Sequence, residues 1–144
     1  MSVVKGDRSP TEEKFETGAK YKELCGYTVT TCKNENYFPK RNRWLLTQPI
    51  VNMAVKAYAN IKKANSINVA SHEDYKLRRK YQIKAMAQTE AMLGLIEIAS
   101  LTLDGLSGDR VEYWTSLIVG CETMLTKWRD ADRRRYKQNF GNKE

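Results

Sequence analysis

Histidine, cysteine and proline are all scarce in this chain of 144 residues, and each scarcity excludes something. His72 is the single histidine. A di-iron bundle needs paired Glu-x-x-His motifs, which are therefore missing, and no Cys–His pairing, P-loop or GxSxG stands in their place. His72 also falls at an expected helix start, where a solvated side chain is a plainer reading than a catalytic base. Cys25, Cys32 and Cys121 form an odd set without CxxC spacing, so they read as buried free thiols in a reducing cytoplasm. Only Pro10, Pro39 and Pro49 occur, which leaves room for long helices. No apolar run reaches the roughly 18 residues of a membrane span, and the opening MSVVKGDRSP lacks the apolar centre of a secretory signal. The expectation is a cytoplasmic protein with no membrane partner, no catalytic residues, no metal and no cofactor.

What the chain does have is positive charge and helical periodicity. Lysine and arginine number 25 against 17 acids, a formal net charge of +8. Such an excess favours a polyanionic partner, nucleic acid ahead of a membrane surface. A chain of this length makes one domain, 1–144, with residues enough for a core. Four helices are expected, about 10–34, 43–65, 72–104 and 110–137, and no alternating β-branched run competes with them.

The first helix opens at Ser9 or Thr11, has Glu12 and Glu13 in its first turn, and carries a stripe of Phe15, Ala19, Lys22, Cys25, Val29 and Cys32. In the second, Leu46, Ile50, Met53, Ala57, Ile61 and Ala64 keep the period. Pro49 either follows an N-cap at Thr47 harmlessly or kinks a helix begun at Asn42. Ser71 and Asp74 resemble a capping box at the start of the third. That helix is basic in its first half and apolar nearly all round in MLGLIEIASLTL, where Glu97 is the one charge. Such a half needs partners on two sides, either as the central helix of its own bundle or in self-association. As an oligomer interface it would use Met92, Leu95, Ile96 and Leu103. The fourth helix has the cleanest seam: Val111, Trp114, Ile118, Cys121, Leu125 and Trp128. Short connections favour an all-α, up-down-up-down four-helix bundle.

That topology brings the end of helix two, the start of helix three and the end of helix four to one pole. Lys76, Arg78, Arg79, Lys80 and Lys84 meet Arg129, Arg133, Arg134, Arg135 and Lys137 there, with Lys62, Lys63 and Lys127 alongside. A smaller cluster, Lys40, Arg41 and Arg43, stands at the opposite pole beside Asp104, Asp109 and Glu112. Arginine forks suit phosphates, and the interleaved Tyr75, Tyr81, Tyr136 and Phe140 suit unpaired bases. No helix-turn-helix, zinc-finger, KH or RRM signature is present, so RNA or DNA would be held by backbone and shape, not sequence. The bland account is that these cations offset helix dipoles, with Asp130 and Asp132 pairing to neighbouring arginines. An adaptor account uses the same residues for an acidic protein face.

Several local patterns run through residues 15–136: Phe38-Pro39-Lys40 followed by Arg43-Trp44-Leu45, the runs 61–65 and 76–85, Leu95-Ile96-Glu97, and Trp128 after an apolar stretch. In these the chain resembles the four-helix-bundle family that contains the accessory variability determinant of diversity-generating retroelements and the proteins encoded in ribosomal RNA intervening sequences. The resemblance implies a non-catalytic, ring-shaped homo-oligomer, a pentamer, that binds nucleic acid and a reverse transcriptase. It further implies a part in mutagenic retrohoming, in which an error-prone cDNA copy of a template repeat replaces a variable gene segment. Pro49 departs from the more helix-friendly residue expected there. The alternative is an oligomeric scaffold or protein adaptor with no specific nucleic-acid role.

Overall fold

The computed structural model describes residues 15–141. It contains four helices, α1 Glu16–Lys33, α2 Gln48–Asn65, α3 His72–Thr102 and α4 Gly108–Phe140, and no strand occurs among the described residues. The expected opening of the first helix at Ser9 or Thr11 lies outside them. α1 packs on α2, α2 on α3, α3 on α4, and α4 back on α1. No helix among the described residues is long and apolar enough to cross a membrane.

The helix starts follow from local chemistry. Ser71 Oγ accepts from the Asp74 N–H at 3.1 Å, and the Asp74 carboxylate accepts from the Ala70 N–H at 3.0 Å. The capping box of α3 thus forms, with its return arm one residue further out. Ser107 caps α4 through the Arg110 N–H at 3.2 Å. Before α2 the chain is already wound, in a 3₁₀ turn Lys40–Asn42 and a π turn Arg43–Thr47, where the Gln48 N–H reaches back to the Arg43 carbonyl. Thr47 is itself helical and makes no capping bond. Pro49 has no N–H to return to Leu45, and the wide turn upstream accommodates the missing bond.

The core matches the seam of α4 and the stripe of α2, with Ala54 buried where Met53 is only half-buried. The face of α1 is different. Its buried residues are Thr17, Gly18, Tyr21, Leu24, Thr28, Thr31 and Cys32, rotated from the stripe that hydropathy picks out. Most of the hydroxyls on this face have partners. Trp114 Nε1–H donates to Thr28 Oγ1 at 2.9 Å, and the Thr28 hydroxyl points at Met92 Sδ at 4.0 Å. The Tyr21 hydroxyl bonds Thr89 Oγ1 at 2.7 Å, and Thr89 donates to the Ala85 carbonyl at 2.6 Å. Once paired, a hydroxyl can be buried at little net cost.

The apolar half of α3 packs on α2 and α4 of its own bundle. Met92 and Ile96 are fully buried, Leu103 is buried and Leu95 is half-buried against the same core. The chain's own helices already cover Met92, Ile96 and Leu103, which leaves these three no surface to offer a second copy, whereas Leu95 stays partly exposed. The large apolar residues that α3 turns outward are Leu77, Ile83, Ile98 and Leu101. Cys32 and Cys121 are buried, Cys25 is half-buried, and all three are free thiols. The 103–107 connection crosses the turn after α1 so closely that a Cβ on Gly105 would collide with the Asn36 carbonyl oxygen.

Candidate nucleic-acid interface

Four residues beyond Trp128 the seam of α4 continues inward with a carboxylate, Asp132, only 6% exposed. Its charge is met from two helices. Arg78 Nη1 on α3 donates to both oxygens at 3.0 and 3.2 Å, Gln82 Nε2 to Oδ2 at 3.1 Å, and Arg135 Nη2 to Oδ1 at 2.5 Å. Arg78 also donates to the Ile67 carbonyl at 2.6 Å and lies 5.7 Å over the Trp128 ring. With 14% of its side chain exposed, Arg78 is a clamp between helices and not a free phosphate ligand. Next to it, Tyr75 stacks on Tyr136 at 4.1 Å, and the Tyr136 hydroxyl is hydrogen-bonded to His72 Nδ1. These two tyrosines face each other in the interior and offer no platform to a base, and His72 is tied to one of them instead of standing in solvent.

The hollow beside this seam is arginine-lined. Arg79 from α3 and Arg129 and Arg133 from α4 converge, with Tyr75, Gln82, Thr126 and Asp130, on a hollow of about 150 Å³. Arg129 and Arg133 are four apart and so share a helix face. Arg79 Nη1 donates to the Tyr75 hydroxyl at 3.1 Å, which orients it. Guanidinium forks from two helices around a small hollow can hold a tetrahedral oxyanion, with Asp130 the one carboxylate among the lining residues.

The remaining sequence-selected cations spread over the pole. Lys84 joins Lys56 and Lys63 around a shallower hollow between α2 and α3, with Lys63 and Lys84 at 5.6 and 5.9 Å from the Tyr81 ring. Lys76, Lys80, Arg134 and Lys137 are exposed. Lys40, Arg41 and Arg43 are exposed at the far end, where Lys40 lies 3.9 Å from Glu35. The 18 residues of α2, about 27 Å of helix, lie between that cluster and the pole at which α2 ends. In the sequence Asp132 reads only as a local partner of its arginine neighbours. The seam spacing, 3 then 4 beyond Leu125, marks it as inward-facing and was the signal available.

One further carboxylate is unusual. Glu122 is pushed up to about 7, first by burial and then by the Glu90 carboxylate opposite it, and its Oε2 is buried without a donor. Among the described residues no grouping of His, Cys, Asp and Glu could hold a metal ion. No family model matches this chain, and neither a curated protein nor a solved structure matches it.

Proposed function

We propose that this chain is a non-catalytic, basic accessory protein that holds nucleic acid by its phosphates without reading sequence. The observation that carries the reading is the convergence of Arg79, Arg129 and Arg133, from two helices, on one hollow. Cations that only offset helix dipoles need not converge. In its fuller form, which rests on the sequence resemblance, the partner is a reverse transcriptase and the setting is mutagenic retrohoming. The up-down-up-down path belongs to this reading. It is supported by the pairing of Thr17 with Met124, Thr28 with Trp114, Asn60 with Gln88 and Arg78 with Asp132. A ring of copies, a homopentamer, belongs to it as well, with Ile98 and Leu101 at the contact in place of the buried Met92, Ile96 and Leu103; Leu101 is 83% exposed.

The test is fluorescence anisotropy of labelled single-stranded RNA and DNA at several salt concentrations. Binding should weaken with salt at a slope corresponding to about five or more phosphates. Replacing Arg129 and Arg133 together by Ala should make that log-log slope shallower by about 1.4, since single strands lose about 0.7 per phosphate contact. Helix content should not change. An unaltered affinity of the double variant at low salt would remove the arginine hollow from the interface.

The adaptor reading has its own observation. Trp44 and Leu45 are 75% and 73% exposed beside Lys40, Arg41 and Arg43, and large exposed aromatics are typical anchors of protein interfaces. If no strand binds even at about 50 mM salt, where phosphate contacts are strongest, the adaptor reading leads. A monomeric mass at micromolar concentration would remove the ring.

A further inference from the structure

On the other side of the Arg78–Asp132 bridge lies a cleft that phosphate binding leaves unused. It has a volume of about 680 Å³ and opens between the start of α1, residues 65–68 after α2, and α4. That is within the roughly 300–1,000 Å³ of small-ligand sites. One wall is aromatic: Phe15 and Trp128 meet edge to face with centroids 5.2 Å apart, the Arg78 guanidinium lies 5.7 Å over the Trp128 ring, and Trp128 is half-buried, so part of the indole still lines the cleft. Another wall carries Asn65 and Asn68, whose carboxamides have no hydrogen-bond partner among the described residues. Lys127, exposed and without an acidic partner among those residues, supplies positive charge, and Arg135, 58% exposed, adds to it: it shares Asp132 with Arg78, so the two guanidiniums leave one positive charge in excess. Glu16 is the one carboxylate in the lining, and the charge of Arg78 is committed to Asp132.

An indole surface, two unengaged amides and two cations in one cleft are the complement of a nucleotide. The indole takes the π-face of a base, the amides both donate and accept along its edge, and the cations meet its phosphate. We propose that this cleft receives one unpaired nucleotide, its base against Trp128 within reach of Asn65 and Asn68, and its phosphate at Lys127 and Arg135. The proposal deepens the nucleic-acid reading and rests on it. The arginine hollow grips the backbone, whereas the cleft demands a base. A nucleotide within a single strand and one free in solution present the same chemistry to the cleft.

The experiment uses the full chain labelled with ¹⁵N, and follows the indole N–H resonances of Trp44, Trp114 and Trp128, each assigned by its Trp→Phe variant. Three probes are titrated at low salt: an eight-residue oligoadenylate, an abasic strand of equal length and charge, and adenosine 5′-monophosphate. The oligoadenylate should shift the Trp128 resonance and bind roughly 5- to 150-fold more tightly than the abasic strand, the range that stacking one base supplies. Ala131→Leu, which fills the cleft from a half-buried helical position, should erase that advantage and leave the abasic affinity unchanged. Lys127→Ala should lower the oligoadenylate affinity with the fold intact.

A Trp128 shift with the mononucleotide that saturates at concentrations no higher than the strand requires identifies a free nucleotide as the ligand. A shift with the strand alone identifies a strand. Equal affinity for base-bearing and abasic strands, with Trp128 unmoved, overturns the cleft proposal while leaving phosphate binding in place. Failure of both strands to bind overturns the parent reading, and an unmoved Trp128 with the mononucleotide then overturns the cleft as well.

Discussion

Asp132 sits where the seam of α4 would ordinarily put an apolar side chain, and its burial is tolerable only because Arg78, Gln82 and Arg135 surround it. Removing one member of a buried pair leaves the other charged and unsolvated. Asp132→Ala should therefore destabilise the fold by about 3–5 kcal/mol, read as a lower urea midpoint, with Arg78 the stranded group. Glu122 behaves in the opposite sense. Its folded value of about 7 lies above its ordinary 4.5, so the folded state holds a proton that the unfolded chain has released. The stability it contributes is complete below about pH 4.5 and is lost as pH rises through 7. Glu122→Gln should flatten the fall in urea midpoint between pH 5 and pH 8, because the amide supplies its own donor to Glu90 at every pH. Among the thiols, burial pushes Cys32 and Cys121 up to about 12, and half-buried Cys25 is raised as well. A thiol-reactive dye at pH 8 should label the native protein slowly and at Cys25 first, and mass mapping of the modified peptide would check it.

At the scale of elements, the 103–107 connection has the least room. Gly105→Ala forces a methyl group against the Asn36 backbone, and a loss of roughly 1–3 kcal/mol is expected, measurable as a drop in melting temperature. The sequence allowed α3 and α4 to be read within a few residues, because they open on ordinary serine caps, whereas α2, which has an apolar stripe but no capping bond, begins five residues later than expected, after the π turn. It misplaced the buried face of α1, since Thr17, Thr28 and Thr31 look polar until their hydroxyl partners are known. The apolar second half of α3 carried two readings, and periodicity could not choose between them: a helix covered by its own bundle and one covered by a second copy have the same pattern. For the candidate site, helix spacing together with the expected topology put Arg79, Arg129 and Arg133 at one pole, and all three line one hollow. What spacing could not reveal was that Arg78 is engaged by Asp132, or that Tyr75 and Tyr136 stack on each other, because those are choices of partner across helices.

For the whole molecule, the strongest constraint is how the helices are held in register. Trp114 to Thr28 and Tyr21 to Thr89 tie α1 to both long helices in the middle of the core, while Asp132 ties α3 to α4 near one end. Sliding any of these helices by one turn would strand several buried polar groups, each at a penalty of about 1–3 kcal/mol. Small movements at a pole therefore cannot travel to the other by axial slip. The 31 residues of α3 span about 46 Å. With its arginine hollow at one end and Trp44 and Leu45 at the other, the bundle is braced as a strut and not a piston: its two ends keep a fixed separation.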